Sequence, residues 1–352
     1  MLKSLMRWID SWSTPISPQP RTAENSQIQW LRIFPFILLH LACLAVFWVG
    51  VSWFALGFML VFYLIRMFSI TAFFHRYLSH KTFQTSRLVQ FLFVLLGTMS
   101  AQRGPLWWVA HHRYHHRYTD TLQDPHSSTH GFWYSHVGWF LNEYNFATRK
   151  EVIKDWLKYP ELIWLDRFSL IVVLLTAGGI YALGEWLALT WPQLATSGLQ
   201  LLVWGFVVST VLLIHATLCI NSLAHHYGSR DFDTDDHSRN NLFLSIITLG
   251  EGWHNNHHYY AGSTRQGFYW WQIDVTYYLL KLMSWLGLVW GLKPIPARVY
   301  EVSKIAQAKK QKKAAKIGIS TIQTKDSPGK LQLLVQVFPV CMPPGNLAKS
   351  MR

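Results

Sequence analysis

Charge is scarce in this chain. Only 14% of its 352 residues are charged, where a soluble globular domain carries about 25%. Part of the surface is therefore expected to meet lipid rather than water. The scarcity is concentrated in two places. No Lys or Arg occurs between Arg32 and Arg66, and none between Arg167 and Arg230. Cysteine is rarer still. Cys43, Cys219 and Cys341 stand far apart and form no CxxC pair, so neither a disulfide framework nor a thiolate metal site follows. The opening MLKSLMRWIDSW lacks the pattern of a cleavable signal. No internal repeat and no flavin or haem motif is present.

What is abundant is apolar and aromatic. Hydrophobic residues make up 51%, with nineteen Trp and fifteen Tyr, the rings that settle at the headgroup level of a bilayer. The formal net charge is +14, which alone would suit nucleic acid or an anionic lipid surface. Because the basic residues avoid the two long apolar stretches, the membrane reading is preferred and nucleic acid is not expected as a partner.

The apolar stretches divide into two pairs. Residues 33–50 and 53–68 read as helices joined by a tight turn near 50–52, and 168–186 and 199–220 as a second pair. A span needs ~20 residues. Both hairpin tips lack basic residues, so by the positive-inside rule they face away from the cytoplasm. The expected fold is all-α and integral to the membrane, with four transmembrane helices in two hairpins under a cytoplasmic helical cap. Both termini and residues 69–167 then lie on the cytoplasmic side, and the short loops suggest a bacterial inner membrane. The apolar segments 88–100, 243–249 and 268–290 are expected to lie buried or in the interface. Residues 1–28 read as an N-terminal tail, 29–300 as the membrane domain and 301–352 as a basic C-terminal tail.

Seventeen His carry the chemistry. His40 and His215 fall inside predicted spans and read as packing residues. The others gather in HRYLSH (His75, His80), HHRYHH (His111, His112, His115, His116), NSLAHHYG (Asn221, His225, His226) and HNNHH (His254, His257, His258). Residues at i, i+3 and i+4 share a helix face. His112, His115 and His116 have that spacing, as do His254, His257 and His258, so each set aims several imidazoles at one place. His75 and His80 stand about 140° apart on an ideal helix, so they are expected to contact different metals or to flank a helix break. Imidazole is the usual neutral ligand for iron, zinc and copper. Eight or nine of them exceed what one first-row ion takes, and a structural zinc site needs fewer and usually cysteine. Two metals are implied.

These boxes resemble the membrane fatty-acid desaturase family, in particular its acyl-CoA delta-9 branch. The family's HxxxxH, HxxHH and HxxHH boxes match His75–His80, His112–His116 and His254–His258. NxxxH matches Asn221–His225, and GEGWHNNHH, DPH (Asp124–His126) and SHVGW (Ser135–Trp139) are in keeping. The likeness runs from about residue 30 to 290. It implies a di-iron site with nine ligands: His75, His80, His112, His115, His116, His225, His254, His257 and His258. Asn221 would hold a metal through water. His111 and His226 are taken as neighbours, and His126 and His136 as hydrogen-bond partners of the ligands. The acidic run 231–236 is given no catalytic role.

The implied activity is O₂-dependent insertion of a cis double bond, at position nine, into a saturated acyl chain. Abstracting hydrogen from an unactivated methylene is beyond any side chain, so the cofactor supplies the oxidant. Two electrons would come from a cytochrome b5-like protein or a ferredoxin, which a basic cytoplasmic face suits. Trp107, Trp108, Trp139 and Trp253 are candidates for the wall of an acyl tunnel. The CoA-binding pair of the branch is replaced by Ala110 and His111, and a later basic pair by Glu143 and Tyr144. Acyl-CoA is retained as the expected carrier, with acyl-lipid as the alternative. The rival enzyme is a membrane di-iron hydroxylase. A metal transporter or a haem carrier would need ionisable residues along the spans, which are missing apart from His40 and His215.

Overall fold

The computed structural model describes residues 9–13 and 30–301. The basic tail expected over 301–352 lies outside these residues, apart from its first, and so does most of the tail at 1–28.

Helices dominate. Helix α1 (Trp30–Ala42) runs on through a tight turn at Cys43–Ala45 and a short helix, Val46–Val49. Gly50, at φ 66°, reverses the chain, a conformation glycine reaches without steric cost. The side chain of Ser52 then caps α2 (Trp53–Phe68) by accepting from the Ala55 amide. Helix α2 continues as a π-helix, Ser69–Ser79. Helix α3 (Arg87–Thr98) and helix α4 (Pro105–Tyr118) both pack on that π segment. Helices α5 (Pro160–Arg167) and α6 (Ser169–Thr190) follow. The chain returns through Gly198–Leu201 and a second π segment, Leu202–Val208, into α7 (Ser209–Asn221) and α8 (Leu223–His226). Helix α9 (His254–Tyr259) and α10 (Val275–Trp285) complete the helical part. A two-stranded antiparallel ribbon, β1 (Gln84–Thr85) with β2 (Val289–Trp290), ties the end of the described chain to the end of the first π segment.

Among the described residues, three helical stretches are long and apolar enough to cross a membrane: Trp53–Ser79, Ser169–Thr190 and Gly198–His226. The first expected span is shorter: Ile33–Val49 forms an apolar helix of 17 residues at most, the bottom of the spanning range. The segments read as interfacial give short helices. Helix α10 has 11 residues, about 16 Å, too few for a fifth span. Exposed aromatics mark both turns between long helices. Phe47, Trp48 and Trp53 flank Gly50, and Trp186 and Trp191 flank the second turn. That is the belt position expected of an interface.

The main core lies where the first π segment meets α3, α4 and α5. Phe73, Phe74, Leu78, Leu106, Val109, Leu162 and Leu165 are fully buried there. It holds the beginning of α4, and with it the second histidine box, against the first.

Candidate metal centre

Nine imidazoles come together in two adjoining groups. His75, His80, His112, His116 and His257 form one, and His115, His225, His254 and His258 the other, with ligand atoms within 4.8 Å of one another in each. Two of the boxes, HHRYHH and HNNHH, serve both groups. On α4, His112 and His116 point to the first group and His115 to the second. On α9, His254 and His258 point to the second and His257 to the first. His75 and His80 depart from expectation, because both belong to the first group. The π turn is the cause: it bonds residue i to i+5, and the His80 amide donates to the His75 carbonyl at 3.2 Å. One wide turn sets the two rings edge to face with centroids 4.9 Å apart.

All nine rings face inward through Nε2. The Nε2–Nε2 distances are 3.1 Å for His75–His257, 2.8 Å for His80–His112 and 2.9 Å for His116–His257. They are 3.1 Å for His225–His254 and 3.4 Å for His115–His258. The other nitrogen of four rings meets a carboxylate. His115 Nδ1 lies 2.9 Å from Asp124, His225 Nδ1 3.1 Å from Asp120 and His258 Nδ1 2.8 Å from Asp236, and His75 Nδ1 is paired with Glu251. A carboxylate accepts, so each Nδ1 carries the proton and each Nε2 presents a lone pair. With Nδ1 of both rings turned to carboxylates, His115 and His258 face each other through Nε2, an arrangement that a proton or a metal ion shared between them would satisfy.

Burial, then neighbouring imidazoles, holds His80, His112, His116, His254 and His257 well below the usual histidine range. Burial pushes His258 down to about 4 against the pull of Asp236. Burial opposes charge on His115 too, but Asp124, Asp120 and Asp236 leave it above its ordinary value. Burial raises Asp120, Asp124 and Asp236, yet their histidine partners outweigh it and hold all three carboxyls well below their usual range. The set is a cage of mostly neutral nitrogen donors inside a ring of carboxylates, which fits two divalent ions of the first transition row.

The carboxylates are the residues that the spacing argument missed. Asp120 had no reading, and the acidic run had none in the site, yet Asp236 supports His258. Only Asp124, nine residues after His115, stands close in sequence to the ring that it supports; the partners of His75 and His225 lie 176 and 105 residues away. Glu251 also bridges to Arg76, itself held by Asp274 at 2.9 Å. Gly250, at φ 125°, lets the chain pass, for a Cβ there would stand 2.5 Å from Asp274 Oδ1.

Other candidates settle differently. His111 and His226 stand outside both groups. His126 stacks on His115, ring centroids 4.1 Å apart, and gives its amide to Asp124 at 3.1 Å. Burial, helped by His115, pushes it down to about 3. It supports the carboxylate and makes no hydrogen bond to a candidate ligand ring. His136 joins another arrangement. Its Nδ1 lies 2.9 Å from Ser222 Oγ and its Nε2 3.0 Å from His215, whose Nε2 meets His40 at 2.9 Å. His40 and His215 are thus linked to each other and, through His136, to Ser222, rather than packed singly.

A mostly apolar cavity of about 350 Å³ runs up to His112 and Asn221, walled by Trp107, Trp108 and Trp139 among others. A second, of about 40 Å³, lies between the groups, with Asn221, His75, His112, His115, His254 and Glu251 on its wall. Half-buried Asn221 borders both. Trp253 borders neither and instead donates its Nε1–H to Ile273 at 2.7 Å. It is a packing residue at the start of α9.

The sequence comparisons agree with this geometry. The profile of the fatty acid desaturase family matches residues 51–284. The chain belongs to the fatty acid desaturase family. It is 38% identical over 300 residues to an acyl-CoA 5-desaturase of Anemone leveillei, covering 82% of this chain and 89% of that protein. It is 37% identical over 276 residues to an sn-2 palmitoyl-lipid 9-desaturase of Nostoc, covering 76% and 92%. It is 35% identical over 277 residues to an sn-1 stearoyl-lipid 9-desaturase of Anabaena variabilis, covering 77% and 96%. Desaturases named for different carriers and positions thus stand at similar distances from this one.

Proposed function

We propose that this desaturase places a cis double bond at position nine of a saturated fatty acyl chain, using O₂ and two irons. The observation that carries the reading is the meeting of nine Nε2 atoms beside an apolar cavity. Position nine follows the box context and the names of the Nostoc and Anabaena relatives. The proposed working unit is residues 29–300, with four spans in two hairpins below a cytoplasmic cap and tails at 1–28 and 301–352.

In this reading His75, His80, His112, His116 and His257 hold one iron. His115, His225, His254 and His258 hold the other, with Asn221 reaching it through water. Bound there, the irons would supply the oxidising power that a C–H bond of an unactivated methylene demands. The chain's own groups do the rest. Asp120, Asp124, Asp236 and Glu251 fix four rings with Nε2 inward. Trp107, Trp108 and Trp139, on the wall of the apolar cavity, would shield the acyl chain from water along its way to His112. Two hydrogens leave adjacent methylenes, two electrons and two protons come from outside, and O₂ leaves as two waters. A small acidic electron carrier, cytochrome b5-like or a ferredoxin, suits the basic chain.

The test is expression in a host without its own desaturase, with membrane fatty acids read by gas chromatography–mass spectrometry after double-bond derivatisation. A new cis-9 monounsaturated acid is expected, absent with His257→Ala. A hydroxylated product would move the assignment to a hydroxylase. No product, with two irons bound and a donor supplied, would overturn the reading.

A further inference from the structure

The residues that line the cavity differ in burial from one part of the wall to another. At the metal end its walls are Trp107, His111, His126 and Trp139, all at most 7% exposed. Another part of the wall is shared by α1, through Pro35, Phe36 and Leu39, and α6, through Ser169, Leu170 and Val173. None of these six is buried. The outer faces of the same two helices are apolar and exposed: Phe34, Leu38 and Leu41 on α1, and Leu174 and Leu175 on α6. In a membrane those faces meet acyl chains, and the gap between them leads from the hydrocarbon to the candidate metal centre.

The polar rim of this gap does not suit a polyanionic soluble carrier. Ser11 lies on it, with Asp10 and Trp12 beside it. Among the described residues the nearby cations are engaged: Arg103, on the cavity wall, sits 4.6 Å over the Trp107 ring and 5.0 Å over that of Phe146, Arg167 pairs with Asp10 at 2.6 Å, and Lys150 Nζ sits 3.8 Å over the Trp12 ring. Arg149 is buried over the rings of Tyr114 and Tyr144. Ala110 and His111, where a CoA-binding pair was sought, are 0% and 1% exposed and reach no surface.

We propose that the substrate enters sideways from the bilayer, between α1 and α6, as the acyl chain of a membrane glycerolipid still carrying its ester. The inference rests on the desaturase reading and specifies its carrier. The chain slides between Leu39 and Val173 without leaving an apolar medium, so no desolvation of a charged head group is needed. The ester stays near Ser11 and Ser169 at the rim, and the methylenes reach His112.

The experiment uses the full-length, iron-loaded protein with a reduced electron donor, supplied in parallel with vesicles of deuterated stearoyl phosphatidylglycerol and with deuterated stearoyl-CoA. The expected result is a deuterated monounsaturated chain in the lipid and none in the thioester. Leu39→Trp and Val173→Trp are expected to lower lipid desaturation by about tenfold or more, the scale of an overpacked contact. Leu175→Trp, on the lipid-facing side, is expected to leave it unchanged. Independently of turnover, a phosphatidylglycerol with a diazirine in its acyl chain is expected to label 35–39 and 169–173 on illumination. Direct conversion of stearoyl-CoA with no change in the two plugged variants, or absence of photolabel from both segments, would overturn the lateral route. Failure of both substrates with two irons bound would remove the desaturase reading itself, and the route with it.

Discussion

At the scale of single residues, the candidate site is decided by which nitrogen of each ring faces inward. Four carboxylates bind Nδ1–H and leave Nε2 free to donate. Removing one of these charges keeps the ring's place but lowers its basicity. Asp236→Asn and Asp124→Asn are each expected to weaken iron binding by about 10–100-fold. Equilibrium dialysis with metal analysis reads this directly, and unaltered affinity would show that the carboxylates only fill space. The spacing of HHRYHH and HNNHH made the histidines visible, because a helix repeats on itself. The acids were hidden because no local periodicity links Asp120 to His225, 105 residues away.

At the scale of elements, two features were out of reach of an ideal helix. The π turn at Ser69–Ser79 brings His75 and His80 into one group. A reading at 100° per residue separates them, because it assumes i to i+4 bonding throughout, whereas this segment, packed on α3 and α4, bonds i to i+5. The second feature is the chain His40–His215–His136–Ser222, which joins α1, α7 and the segment Tyr134–Gly138. Intramembrane polar contacts between helices contribute about 0.6 kcal/mol on average, with a maximum near 1.7. His215→Leu removes two of them and is expected to cost about 1–2 kcal/mol. It should appear as a lower thermal midpoint of the purified protein in detergent with iron content unchanged. An unshifted midpoint would make the chain incidental.

At the scale of the whole molecule, the long apolar helices and the aromatic rings at their turns describe a membrane protein whose histidine-rich part sits at one end. The proposed topology places the turn at Gly50 and the turn near Trp191 on one side and the cap on the other. Alkaline phosphatase fused after residue 50 or 195 should be active in a bacterial host, and after residue 145 or 301 inactive. Green fluorescent protein should give the converse. Activity of phosphatase at 145 would invert the orientation.

Hydropathy and histidine spacing determined by themselves that the chain enters a membrane and that several imidazoles converge, since both signals are local and repeat with the helix. They also placed the turn at Gly50, where a glycine interrupts two apolar runs. Only the tertiary structure decided how nine rings divide into five and four, which carboxylates back them, that Trp253 leaves the cavity wall, and that α1 and α6 both line the cavity. Each of these depends on contacts between segments far apart in the chain. Such contacts are set by how the helices pack, and packing has no period that a single sequence displays.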